Sequence, residues 1–233
     1  MPCFLRCRRS DLRERMDDPD CDTARLENTY RHFQTVNSAL CRWNTLYRRH
    51  LRPVILAAGG RTFTLLDIGF GGGDVASGLA SLARRDRVSL DITAIDTDPR
   101  ACRYVKTLFL PDSITFRLAS AGELLREGRR FDFVISNHLV HHLGDEELLS
   151  VLSEARQLSR HCVLFSDIER SDVGYLLFAL LTRPAFRNSF IRQDGLTSIR
   201  RSYALAELRG IVPRGWQVNR IFPLRLLLSY RHE

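Results

Sequence analysis

The stretch that decides the fold is LLDIGFGGGD, Leu65 to Asp74. An apolar run ends in four glycines spread over positions 69–73, with Asp67 before them and Asp74 after. A short apolar run stopped by glycine reads as a buried strand entering a tight turn. Glycine tolerates positive φ and lets another molecule approach the backbone closely. A helix beginning near Asp74 would present free N–H groups to the same place. In open α/β sheets, ligands bind beyond the carboxyl ends of the strands, where the strand order reverses.

Working outward, strands and helices alternate. Strands are predicted at 62–69, 89–96, 113–119, 131–137 and 161–168. Helices are predicted between them at 74–85, 99–109, 121–128 and 145–159, and after the last strand at 172–182. Pro99 suits a first helical position, and Asp145, Glu146 and Glu147 suit a first turn. A polar stretch at 182–202 reads as irregular, YALAELRGIV as one more helix, and WQVNRIFPLRLLLSYR as two strands around Pro223. Before the first strand, residues 1–50 read as helical, with Asp22-Thr23 as an N-cap and Leu26, Tyr30, Phe33, Val36 and Leu40 on one face. Pro53 and Gly59-Gly60 close that region. The expected fold class is α/β: a Rossmann-like, seven-stranded, mostly parallel sheet with an antiparallel C-terminal hairpin and an N-terminal helical cap. The expected division is a cap or lid over 1–58 and a ligand-binding domain over 59–233, with 182–202 as a substrate-lid insertion.

The turn discriminates among nucleotide binders. A dinucleotide fingerprint would carry glycine at position 74, where this chain has Asp74. An acid there repels a pyrophosphate seated on the helix N-terminus. No Gly-Lys-Ser/Thr follows, which excludes a P-loop. The spacing is instead Asp67-x-Gly69-x-Gly71-x-Gly73, and strand two ends in Asp96-Thr97. An acid at the end of strand two accepts hydrogen bonds from ribose hydroxyls.

This pattern resembles motif I of the class I S-adenosylmethionine (SAM) methyltransferases, and the resemblance covers residues 60–231. It implies SAM as cofactor, with S-adenosylhomocysteine (SAH) as product. It implies cofactor contacts at Asp67, Gly69, Gly71, Gly73, Asp96 and Thr97. In RLASAGEL, Ser120 and Ala121 stand where the family usually has an acid on the adenine amino group, a departure from its pattern. In SNHLVHHL, Ser136 and Asn137 occupy the motif that faces the transferred methyl. The Asn/Asp-Pro-Pro-Tyr/Phe box of many nitrogen methylases is absent. The pattern looks closer to enzymes acting on oxygen or carbon of quinols and phenols. RERMDDPDCDTARLENTYRHFQTVN and RQDGLTSIRRSY also look like a bacterial subgroup of that kind.

Methyl transfer from a sulfonium needs an aligned nucleophile. A phenol must also lose its proton, which a histidine can take. His138, His141 and His142 cluster after strand four. His142 is the first candidate base and His138 the second; the competing reading is helix-start packing. A metal is not expected, because no Glu sits between His138 and His142 in zincin fashion. Tyr30, Phe33, Phe178, Phe186 and Phe190 are candidate pocket aromatics, with Arg192, Asp194 and Arg200 as polar candidates. Cap-to-core packing and solvent exposure are the alternatives for them.

Composition agrees with a globular enzyme: 44% hydrophobic, 27% charged, net charge +8. Lys106 is the only lysine, and the arginines are scattered in pairs without a long block. Nucleic acid is therefore not the expected partner. The expected partner is an aromatic small molecule, with a homo-oligomer compatible. Six cysteines show neither zinc-ribbon spacing nor a disulfide framework. MPCFLRCRRSD lacks the apolar core of a signal peptide, and YLLFALL is too short to span a bilayer. A cytoplasmic chain without a membrane span is expected. The rival readings are a C-methyltransferase, an NAD-dependent Rossmann oxidoreductase, and a non-catalytic RNA- or protein-binding module on the same fold.

Overall fold

The computed structural model describes residues 3–183 and 186–232. Seven strands form one sheet in the order β3-β2-β1-β4-β5-β7-β6. They are β1 (Phe63–Ile68), β2 (Leu90–Asp96), β3 (Ile114–Leu118), β4 (Phe131–Asn137), β5 (Ser159–Ile168), β6 (Gln217–Ile221) and β7 (Arg225–Arg231). The first five are parallel. β7 runs antiparallel to both β5 and β6, which gives the expected C-terminal hairpin. The order reverses between β1 and β4, so a crevice opens past their carboxyl ends.

Before the sheet come α1 (Thr23–Leu40), α2 (Trp43–Leu46) and α3 (Arg52–Ala57). Asp22 caps α1 by accepting a hydrogen bond from the Arg25 amide, as the sequence suggested. Within the domain follow α4 (Asp74–Arg85), α5 (Pro99–Val105), α6 (Ala121–Arg126), α7 (Asp145–Leu158), α8 (Asp172–Leu181), α9 (Ile191–Arg201) and α10 (Leu205–Ile211).

Two local expectations are corrected. The stretch read as irregular contains α9, whose buried residues are Ile191, Asp194, Ser198, Ile199 and Arg201. Only two of those five are apolar, so hydrophobic periodicity could not register the helix. Residues 3–14 are not helical; a single 3₁₀ turn at Arg15–Asp17 precedes α1. This arm is held from outside: the Asp172 carboxylate accepts hydrogen bonds from the Cys3, Phe4 and Leu5 amides, and the Arg9 amide donates to Arg200.

Alternation along β1 sorts the core into two layers. Phe63 and Leu65 pack on the face covered by the N-terminal helices, α4 and α5. Leu66 and Ile68 pack on the opposite face with α6, α7 and α10. Both faces are covered, as a parallel sheet requires.

Gly73 starts α4 with φ 74°. A Cβ there would lie 3.1 Å from the Phe116 ring and 3.3 Å from Val105. Its glycine is therefore needed for the turn and for the packing beneath it. Gly73→Ala is expected to lower the unfolding free energy by about 2 kcal/mol through positive-φ strain and overpacking. Urea denaturation measures this, and an unchanged midpoint would show that the turn relaxes around a methyl group.

Candidate active site

A cavity of about 930 Å³ opens past the ends of β1, β2 and β4, roofed by the N-terminal arm, α1, α8 and α9. That is the size range of small-molecule and cofactor sites. Its two polar walls differ in charge.

The first wall is acidic. Asp67, at the end of β1, is 1% exposed, and its Oδ2 has no hydrogen-bond partner among the described residues. Burial, with Asp74 and Asp96 adding repulsion, pushes its carboxyl up to about 8. Burial also raises Asp74 and Asp96. Asp74 accepts from Asn37 Nδ2 at 3.0 Å. Asp96 accepts from the Gly71 amide at 2.9 Å, which fixes the glycine turn against β2. Three carboxylates thus border one end of the cavity.

The second wall carries histidines. His141 is 2% exposed. Its Nδ1 lies 2.7 Å from Asp167 Oδ1, and its Nε2 lies 3.2 Å from Glu14 Oε1. Burial acts to lower its pKa, but Asp167 and Glu14 outweigh burial and hold it at about 9. Asp167, also opposed by burial, is held far below the usual carboxylate range by His141. Glu14 is lowered in the same way, its hydrogen bond to His141 overcoming burial. His142 stands at the cavity wall, its Nδ1 3.4 Å from Asp17 Oδ2 and its Nε2 3.9 Å from Glu14 Oε1. The His141 and His142 ring centroids are 4.2 Å apart.

His138 has a different setting. It adopts φ 60°, and its Nε2 lies 3.2 Å from Arg225 Nη1 and 3.3 Å from Cys41 Sγ. Asn37 Oδ1, an acceptor, lies 3.1 Å from the same nitrogen, so a donor and an acceptor both face it. Burial and the Arg225 charge push His138 well below an ordinary histidine pKa. Arg225, 3% exposed at the start of β7, also donates to Asn137 Oδ1 at 2.8 Å and Ser166 O at 3.1 Å.

Asp67, Gly69, Gly71, Asp96, Thr97, Asn137, His138 and His142 border the cavity. The other four candidates serve elsewhere. Gly73 packs on Phe116, and Ser136 donates to Ile68 O, tying β4 to β1. Ser120 forms a capping box with Glu123 at the start of α6, where Ala121 is buried. Tyr30, Phe33, Phe178 and Phe186 line the cavity, whereas Phe190 is buried beneath Arg25. Asp194 lines it too, accepting the Arg15 and Met16 amides. Arg192 is exposed.

Sequence reasoning missed Glu14, Asp167 and Arg225, and ranked His141 behind its neighbours. Asp167 carried a usable signal: it is an acid near the carboxyl end of a strand, like Asp96. Glu14 carried none, because its partner lies 127 positions away in a segment with no periodicity. The metal-type groupings that form are Glu14, His141 and His142, and His138, His141 and Asp167. Asp145, in the first turn of α7, accepts from Tyr203 Oη at 2.8 Å.

Residues 65–161 match a family model described as a methyltransferase domain. The fold is similar to that of the plantazolicin methyltransferase BpumL solved with SAH, at 12% identity and TM-score 0.64, covering 93% of this chain and 91% of that one. It is similar to magnesium protoporphyrin IX methyltransferase from Synechocystis PCC 6803 with SAH, at 16% identity and TM-score 0.51, covering 87% and 83%. It is also similar to human N-acetylserotonin methyltransferase with SAM, at 16% identity and TM-score 0.56, covering 90% and 56%. No curated protein matches the chain in sequence. The methyltransferase-domain match spans residues 65–161, and the fold is the one these SAM- and SAH-bound methyltransferases share. No helix among the described residues is long and apolar enough to cross a membrane.

The acidic wall has a measurable signature. A buried carboxyl raised to about 8 contributes stability that is full below its unfolded value of 3.8 and is lost as pH rises to about 8. Asp67→Asn removes that loss. The variant's melting temperature without ligand is expected to exceed wild type by a margin that grows between pH 5 and 8. A pH-independent difference in thermal melts would contradict a raised Asp67.

Proposed function

We propose that this enzyme transfers a methyl group from SAM to an oxygen of a phenolic or quinol-like small molecule. The observation that carries the reading is the division of the cavity. One end is a set of buried carboxylates that calls for a cation and repels phosphate. The other end holds histidines beside carboxylates, next to aromatic side chains. SAM carries an ammonium and a sulfonium and no phosphate, whereas a nicotinamide dinucleotide would bring its pyrophosphate against Asp74.

In this reading Asp67 and Asp74 supply the negative field for the amino-acid part of SAM. Gly69 and Gly71 let it approach the turn, and Asp96 and Thr97 take the ribose hydroxyls. Asn137, fixed by Arg225, faces the region of the transferred methyl. Residues 1–58 and 182–202 act as cap and lid, excluding water and shaping the acceptor pocket. The proposed seat of the chain is the cytoplasm.

His142 takes the acceptor's proton. Asp17 stands at its Nδ1 and Glu14 lies 3.9 Å from its Nε2, and the residue borders the cavity. The acceptor oxygen forms its bond to the methyl carbon as the carbon–sulfur bond breaks. SAH leaves as a neutral thioether, and the proton on His142 passes to solvent. His138, with Nε2 turned to Arg225, is a wall residue in this scheme and not the base.

Three experiments test the reading. Calorimetry of SAH binding at pH 7, in buffers of different ionisation enthalpy, is expected to show release of up to one proton as Asp67 ionises against the ammonium. Asp67→Asn is expected to abolish that release; binding without proton release in wild type would remove Asp67 from the cofactor contacts. Incubation with SAM and a panel of simple phenols and hydroquinones is expected to yield methoxy products. Ring-methylated products alone would replace oxygen with carbon as the target. His142→Ala is expected to keep SAH affinity and cut turnover roughly a hundredfold or more. Unchanged turnover would exclude His142 as the base.

A further inference from the structure

α8 reads DVGYLLFALL, apolar nearly all round, yet not one of its residues is buried. A helix of that composition normally sits in a protein core or in lipid. One of its faces, Gly174, Leu177, Phe178 and Leu181, lines the cavity. The other face looks outward: Val173 is 59%, Leu176 58% and Leu180 68% exposed. Leu177 and Leu181 belong to both, at 47% and 68% exposed. The turn before β7 extends the patch with Phe222, 80% exposed, and Leu224. The N-terminal arm adds Phe4, set edge-on to Tyr175 and 55% exposed. An apolar patch continuous over a helix, a turn and an arm marks an interaction surface.

Charge identifies what covers it. Arg183, Arg187 and Arg192 follow α8 directly and are all exposed. Between 171 and 195 the only carboxylates are Asp172, engaged by the arm's amides, and Asp194, buried under the arm. The rim is therefore cationic, on a chain of net charge +8. A two-fold dimer through this face would bring the patch and its arginine rim against themselves. An anionic lipid surface satisfies both features: hydrocarbon takes the leucines and headgroups pair with the arginines.

We propose that α8, with the Phe222–Leu224 turn and Phe4, docks this enzyme peripherally on an anionic bilayer. The docked helix is also a cavity wall, so that wall of the cavity faces the lipid. The proposal concerns the outer face of α8 and holds whatever the acceptor is.

The test is co-sedimentation of the full chain with phosphatidylcholine vesicles, with and without phosphatidylglycerol, alongside Leu176→Glu/Leu180→Glu and Arg183→Glu/Arg187→Glu. None of these four residues lines the cavity. Wild type is expected to pellet with the anionic vesicles and not with the neutral ones. The leucine pair is expected to weaken that binding roughly tenfold or more. The arginine pair is expected to weaken it and to flatten its salt dependence. Leu176→Ser/Leu180→Ser, with circular dichroism and the SAH-induced melting shift, keeps the result independent of misfolding. Three results overturn the proposal: no pelleting with either vesicle, pelleting that ignores the leucine pair, or a dimer in equilibrium sedimentation that the leucine pair dissociates.

Discussion

Three ionised groups are buried together where β5, the loop after β4 and the N-terminal arm meet. His141 sits between Asp167 and Glu14, and all three are nearly inaccessible. A lone charge at such depth is strongly unfavourable, and removing one partner leaves the others uncompensated. The triad therefore works as a constraint on assembly. Asp167 belongs to the sheet, His141 to a loop that the sheet positions, and Glu14 to an arm with almost no secondary structure of its own. Ser198 Oγ lies 2.8 Å from Glu14 Oε1, which brings α9 into the same cluster. Asp194, one turn earlier on α9, takes two amides of the arm. Charge neutralisation in the floor of the cavity thus fixes where its roof lies.

The two polar walls are complementary in what they lack. At the histidine end, carboxylates and imidazolium compensate one another within the protein. At the glycine end, Asp67, Asp74 and Asp96 face one another with only Asn37 and backbone amides to offset them. Such a site is destabilising until a cation enters, and the destabilisation becomes affinity for that cation. The same imbalance discriminates against phosphate-bearing nucleotides with no dedicated steric device.

Legibility in the sequence followed the range of the interactions. The glycine turn, the strand alternation and the acid ending β2 are local patterns, and each could be read directly. The C-terminal hairpin was legible for the same reason, from two β-rich runs around Pro223. α9 was not legible, because three of its five buried residues, Asp194, Ser198 and Arg201, are polar, and the first two are explained only by the arm they hold. The triad was not legible either. Its members come from positions 14, 141 and 167, and nothing in the spacing couples them. Ser120 and Ser136 have partners that the spacing did not announce. Both stand at strand ends facing the expected site, but their hydroxyls are committed to a helix cap and to a neighbouring strand.

What remains of the cavity surface is apolar, and α8 supplies much of it. A polar acceptor such as a sugar or an amino acid would leave its hydroxyls or charges unpaired against Leu177, Phe178 and Leu181. An aromatic ring with one or two hydroxyls meets both demands. The proposed phenolic acceptor would set its ring along α8, Phe33 and Phe186 and its hydroxyl toward the histidine wall. The selection is steep for a physical reason: an unpaired buried polar group costs more than a hydrogen bond returns. In the proposed scheme the acidic end would select the cofactor by charge, the triad pins the N-terminal arm by charge, and α8 would select the acceptor by the absence of charge.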